Sequence, residues 1–200
     1  MRLLWDKLNR VFTRYNNLQG AYSLMIEKFV LFDRDGTLID HVHHLVNLSE
    51  VKIKSDAVSA LKLLRDFGFK FGVITNQSVI GRGLASVTQV EEINSYIMEY
   101  FMINDLNFEF FWMCPHIPED SCSCRKPNIA LGKKAVNQYA ISLENSYFVG
   151  DQETDMQFSD NLGLIPVQIG KVSNKSKIAV HCANNLLSAV TWIINDNKRK

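Results

Sequence analysis

The sequence predicts an α/β fold, a Rossmann-like parallel sheet with helices on both faces, on three observations. From residue 28 onward, short apolar runs rich in Val, Ile and Phe alternate with amphipathic stretches. The runs are nearly continuous in apolar character, as strands buried on both faces are. Polar, chemically capable residues follow the runs, where open α/β sheets carry their sites.

The predicted strands are Phe29–Phe32, Phe69–Ile74, Phe108–Met113, Tyr147–Val149 and Leu164–Ile169. Helical spacing places helices near 56–67, 88–103, 128–139 and 153–161, with a last one near 184–195. Before this alternation, residues 1–22 form a separate basic amphipathic extension. Leu4, Leu8, Val11 and Tyr15 recur at helical spacing among Arg2, Lys7, Arg10 and Arg14, and Gly20 can end the helix. Such a helix packs on its own domain or on a second subunit, or binds a partner or membrane surface. Residues 23–200 are read as one domain.

Composition narrows the class. With 46% hydrophobic and 22% charged residues, the 200-residue chain is an ordinary globular one, not a disordered or disulfide-scaffold protein. Lys+Arg 22 against Asp+Glu 21 gives a net charge of +1, so no global field draws nucleic acid or an anionic membrane. No apolar run reaches the roughly 18 residues of a membrane span, and the N-terminus lacks a secretory h-region. These features point to the cytoplasm; the expected state is a monomer or weak homo-oligomer.

The strand ends make chemical sense together. Asp33-Arg34-Asp35-Gly36-Thr37 follows the first run and Thr75-Asn76-Gln77-Ser78 the second. Arg125-Lys126-Pro127 closes the loop after the third, and Gly150-Asp151, with Glu153 and Asp155, follows the fourth. The sheet would bring Asp33 and Asp151 together. Two close carboxylates need a cation or a proton, and magnesium takes carboxylates together with a substrate phosphate. Thr75 and nearby amides can donate to phosphoryl oxygens, and Lys126 adds positive charge, which suits phosphoryl transfer. An Asp can itself be the nucleophile. The ordinary alternative for each Asp is a turn or a helix N-cap, and for Asp155, in a helix's first turn, that alternative is strongest.

A second constellation lies in the loop after the third run. Cys114, His116, Cys122 and Cys124 have C-x-H-x5-C-x-C spacing. Three thiolates and an imidazole complete a tetrahedral zinc shell with no open position, which means structure and not catalysis. The loop is polar and carries Pro115 and Pro118, so a metal would hold it over the site and aim Arg125 inward. Cys182 is read as a small residue on or near the last helix.

Phe32-Asp33-Arg34-Asp35-Gly36-Thr37-Leu38 resembles the first motif of the haloacid dehalogenase superfamily of phosphatases. Thr75-Asn76, Lys126-Pro127 and Gly150-Asp151…Asp155 resemble its second, third and fourth motifs, in order, within about residues 28–170. The resemblance implies that Asp33 attacks phosphorus, and that Asp35 protonates the leaving alcohol and then takes a proton from water. It implies magnesium held by Asp33, the Asp35 carbonyl and Asp151. Thr75 would orient the phosphoryl oxygens, Lys126 would balance charge, and Asp155 would hold a metal-bound water. Gly36 suits the tight turn leaving the strand.

The Cys/His loop, read C-P-H…C-x-C-R-K-P, resembles those of the D-glycero-D-manno-heptose 1,7-bisphosphate phosphatases and the histidinol-phosphate phosphatases, both without a large cap domain. About 40 residues separate Asp33 from Thr75 and about 50 separate Thr75 from Lys126, which leaves no room for an inserted domain. Asn76, Arg82 and Arg125 are the candidates for substrate binding, the arginines for a second phosphate. The chain departs from the family's pattern at Val79, where a Gly is usual, and in the flap. There His41, His43 and His44 stand and no Gly-Tyr-Val occurs.

The expected function is therefore magnesium-dependent hydrolysis of a small sugar phosphate through an aspartyl-phosphate, with a heptose 1,7-bisphosphate, feeding nucleotide-heptose synthesis, as the leading substrate. Histidinol phosphate is the rival. A nucleic-acid-end phosphatase rests on the first motif alone, against a charge balance that offers no DNA track. A non-catalytic binding protein on the same fold is the reading from another class.

Overall fold

The computed structural model describes residues 26–199. The 1–22 extension lies outside the described residues. Six parallel strands form one sheet: β1 (Phe29–Phe32), β2 (Lys70–Asn76), β3 (Phe108–Cys114), β4 (Tyr147–Gly150), β5 (Ile165–Ile169) and β6 (His181–Ala183). Their spatial order is β3-β2-β1-β4-β5-β6. The chain builds outward from β1 to β3, then crosses back to lay β4 on the other side of β1. That reversal opens a crevice beyond the carboxyl ends of β1 and β4, the usual place for a ligand in such sheets.

The helices are α1 (Ala57–Asp66), the single turn α2 (Ser78–Gly81), α3 (Val87–Met102), α4 (Ala130–Tyr139), α5 (Glu153–Leu162) and α6 (Leu186–Asn197). Local chemistry sets several of their ends. Ser86 and Gln89 form a reciprocal capping box at the start of α3, with bonds of 3.1 and 2.8 Å. Asn185 Oδ1 accepts the Ser188 amide at the start of α6. Gly163, at φ 89, ends α5 in the left-handed conformation.

Both faces of the sheet are covered, as the apolar runs predict. One face packs Val30, Phe32, Phe71, Val73, Tyr147 and Val149 against α1, α3 and α6. The other packs Phe29, Leu31, Ile74, Phe110 and Phe148 against α4 and α5. No domain is inserted between the strands: the β1–β2 connection carries α1, and the β2–β3 connection carries α2 and α3.

The structure refines the sequence reading around its strands. Strand β6 was not predicted, because three residues opening on a half-buried His are too short and too polar to read as a run. Cys182 lies on that strand, buried, just ahead of the last helix, in keeping with its reading as a small residue on or near it. Thr75 and Asn76 are the last two residues of β2, paired with Met113 and Cys114, and do not follow the strand.

Phe32 tests the core beneath the site. It is fully buried, 6.2 Å from the Phe71 ring and 6.4 Å from that of Phe108. Phe32→Ala leaves a cavity that the rigid sheet cannot collapse. It should cost about 3–5 kcal/mol, read as a lowered denaturation midpoint.

Candidate active site

The crevice over β1 and β4 holds a cavity of about 410 Å³, lined among others by Asp33, Asp35, Thr75, Lys126, Asp151 and Asp155. Asp33 follows β1 directly, and its amide donates to Val149 O on β4 at 2.9 Å. Lys126 comes from the loop after β3 and is 2% exposed. Its Nζ donates to Asp33 Oδ1 at 2.7 Å and Ile74 O at 2.7 Å, and pairs with Asp155 Oδ1 at 2.8 Å. Burial alone would lower the pKa of Lys126, but the carboxylates of Asp155 and Asp33 outweigh it and hold it above the usual lysine value. The lysine is therefore a fixed positive charge.

Asp155 sits in the first turn of α5. Besides Lys126, it accepts the Gln152 amide on Oδ2 at 3.0 Å. Its burial and the nearby Asp33 raise its pKa to about 6 against the opposing pull of Lys126. Both of its oxygens thus have protein partners. Gly150 is required here, because a Cβ would press into the Asp155 carboxylate.

Asp151, at the end of β4, is different. Its Oδ2 accepts from Gln152 Nε2 at 2.7 Å, but its buried Oδ1 has no hydrogen-bond partner. Burial and the nearby Asp33 raise its pKa. Oxygens of Asp33, Asp151 and Asp155 lie within 4.8 Å of one another. When ionised, the carboxylates of Asp33, Asp35, Asp151 and Asp155 have, among the described residues, only Lys126 and Arg34 as paired cations. Two negative charges remain. An orphaned carboxylate oxygen and a twofold charge deficit fit a divalent cation of the hard, oxygen-seeking kind. Gly36, at φ 77, turns the chain where any Cβ would strike Asp151.

Two groups missed by sequence reasoning complete the site. Arg34 is 1% exposed and bonds Asp35, Gln77 and Asn94. Gln77 Nε2 donates to both Asp35 Oδ2 (2.8 Å) and Thr75 Oγ1 (3.0 Å). Neither carries a sequence signal beyond its place beside a motif residue. Asn76, a candidate for substrate binding, lines the cavity. Its side chain closes a reciprocal pair with the Lys126 backbone, at 3.0 and 3.1 Å, and so clips the lysine's loop to β2. Arg82 and Arg125 do line the cavity, as do His41, His43 and His44. Arg125 is oriented by a 3.1 Å bond to His116 O.

The four residues of the Cys/His loop converge. Cys114 Sγ, His116 Nδ1, Cys122 Sγ and Cys124 Sγ lie 3.2–3.6 Å apart along the measured edges. A tetrahedron of Zn–S bonds of about 2.3 Å has edges of about 3.8 Å, so one zinc ion fits after a shift of a few tenths of an ångström. Among the sulfurs, burial pushes the Cys114 thiol up to about 12; burial pushes Cys122 up as well, but the hydrogen bonds it accepts from Cys124, the Arg125 backbone and Cys114 together bring it down to about 7. A cation among them would favour all three thiolates together.

Comparisons with known proteins agree with this geometry. Residues 28–185 match the family described as polynucleotide kinase 3 phosphatase. The chain is 30% identical over 165 residues to the histidine biosynthesis bifunctional protein HisB of Blochmanniella floridana, covering 80% of this chain and 46% of that protein. It is 36% identical over 138 residues to the "Probable D-glycero-D-manno-heptose-1,7-bisphosphate 7-phosphatase" of Thermoplasma volcanium, covering 68% of this chain and 94% of that protein. The chain thus spans about half the length of its HisB relatives and nearly all of the Thermoplasma one. In structure it resembles the D,D-heptose 1,7-bisphosphate phosphatase of B. bronchiseptica, which was crystallised with magnesium and phosphate. The TM-score is 0.76 at 21% identity, covering 84% of this chain and 99% of that one. The chain belongs to the haloacid dehalogenase-like phosphatases. Its relatives include proteins named for histidine biosynthesis and for heptose bisphosphates. No helix among the described residues is long and apolar enough to cross a membrane.

Two measurements test the metal centres. Cys122→Ser should lose bound zinc, read by elemental analysis, and lower the melting temperature, because a bound ion would tie the start and the middle of the loop together. Magnesium should raise the melting temperature through binding to the folded state. Asp151→Asn should abolish that rise. The rise should also fade as pH falls through the raised Asp151 pKa, because the protonated carboxyl no longer binds the cation.

Proposed function

We propose that the chain hydrolyses a small sugar phosphate through an aspartyl-phosphate on Asp33. The observation that carries this reading is the Asp33 carboxylate held at 2.7 Å by a buried lysine, beside the orphaned oxygen of Asp151. With Oδ1 engaged, Asp33 Oδ2 is the oxygen offered to phosphorus. Thr75, ordered by Gln77, would donate to a phosphoryl oxygen. Lys126 would offset the charge gathering on the transferred group. Asp35, at the cavity wall, would give its proton to the departing alkoxide. It would then take a proton from the water that splits the phospho-enzyme. Asp33, Asp151 and the Asp35 carbonyl would hold the magnesium, which draws the phosphate in and screens it from the carboxylates. The zinc would hold the Cys114–Cys124 loop, and Arg125 with it, beside the cavity.

For the substrate we favour a sugar bisphosphate, a D-glycero-D-manno-heptose 1,7-bisphosphate above all. Every carboxylate lining the cavity belongs to the catalytic group, while Arg82, Arg125, His41, His43 and His44 stand at its rim. That rim suits a second phosphate. It repels the amine of histidinol phosphate, the substrate class suggested by the HisB relatives. The matched family's name supports a third reading, a phosphorylated nucleic-acid end.

Phosphate release compared by kcat/KM across heptose bisphosphate, histidinol phosphate and a 3′-phosphorylated oligonucleotide decides among them. The bisphosphate should lead, and Arg82→Ala with Arg125→Ala should erase its lead while sparing a monophosphate. Asp33→Asn should abolish turnover with the fold intact. Lys126→Met should slow it by about 10²-fold or more. Full activity in Asp33→Asn would end the mechanism.

A further inference from the structure

The side chain between the two motif aspartates is a fully buried guanidinium. Arg34 is 1% exposed. Burying such a charge is costly unless it is paired and all its donors are used. Its only ion-pair partner among the described residues is Asp35. Nε donates to Asp35 Oδ2 at 3.0 Å, and NH2 to Asp35 Oδ1 at 3.1 Å and Gln77 Oε1 at 2.8 Å. NH1 donates to Asn94 Oδ1 on α3 at 2.8 Å. Asn94 is itself buried, and its amide meets Met113 Sδ on β3 at 3.7 Å. The guanidinium is thus anchored to a helix and a strand at its far end, and it grips Asp35 with both prongs at its near end.

The bonds to the two Asp35 oxygens are unequal. Oδ2 accepts from Arg34 Nε and from Gln77 Nε2, which fills both of its lone pairs. Oδ1 accepts from Arg34 NH2 alone, so one lone pair stays open. The carboxylate remains partly exposed to the cavity. The same Gln77 nitrogen also orders Thr75.

We infer that Arg34 is a positioning residue that fixes Asp35 with Oδ1 as the proton-carrying oxygen and ties that orientation, through Gln77, to Thr75. This rests on the reading of Asp35 as acid and base given above. In the first half-reaction the Oδ1 proton passes to the leaving oxygen as its bond to phosphorus breaks and the bond from Asp33 forms. In the second, water loses a proton to Oδ1 as its oxygen bonds phosphorus and the Asp33 carboxylate leaves. Net, one ester and one water give one alcohol and one phosphate.

p-Nitrophenyl phosphate separates this role from a merely structural one. Its leaving group departs without a proton, so the first half-reaction needs no acid, while the second still needs the base. Arg34→Lys keeps the charge but cannot span both Asp35 oxygens, Gln77 and Asn94. Single-turnover nitrophenolate release, with enzyme in excess, should stay within about threefold of the parent, while steady-state kcat falls by about 10- to 100-fold. Asn94→Ala, which removes the far anchor and lies outside the cavity, should show a weaker split in the same direction and serves if Arg34→Lys does not fold. Equal falls in both rates, or no fall in either, overturn the proposal. Asp35→Asn is the reference. If it shows no split, the reading of Asp35 as acid and base fails, and the Arg34 role falls with it.

Discussion

The site depends on one buried ammonium group. Lys126 Nζ touches Asp33 after β1, the Ile74 carbonyl on β2 and Asp155 on α5, all within 2.8 Å. It arrives on a loop that no strand pairing holds, so something else must place it. Asn76 does so from the end of β2 with a reciprocal backbone pair, and the Cys/His cluster closes the same loop. A lysine buried without those carboxylates would be driven neutral. With them it keeps its charge, and Asp33 is held in one orientation.

That lysine does not balance the crevice. The parallel strands direct their carboxyl ends, and the acidic residues that follow them, to a single edge. This gathers more negative charge than Lys126 and Arg34 offset. Burial, with Asp33 nearby, raises the pKa values of both Asp151 and Asp155. Asp155 is satisfied by protein donors, whereas Asp151 keeps a buried oxygen without a partner. A site that stores this imbalance is built to take a cation and a phosphate together, since each offsets the other's charge.

Much of this was legible in the chain. Asp33, Thr75 and Asp151 each sit at or just beyond a run apolar enough to be a buried strand, Lys126 closes the loop that leaves another, and strand ends must meet at one edge of a parallel sheet. The Cys114–Cys124 spacing was legible because ligand count and geometry constrain it. The hold of Asn76 on the Lys126 backbone was not legible, since an amide beside a threonine gives no sign of where it points. Arg34 and Gln77 were passed over for a related reason. A charged residue at a loop start is ordinarily solvated, and only the packing of α3 beneath the loop buries it.

The sequence by itself determined the alternation of strands and helices, the order of the motif residues and the Cys/His set of the loop, because periodicity, residue chemistry and spacing are local. The tertiary structure alone decided which carboxylates share a lysine, which oxygen is left without a donor and which arginine is buried. Those properties belong to pairs far apart in the chain, such as Lys126 with Asp33 and Arg34 with Asn94. Their energies are set by desolvation, which no single segment of sequence can express.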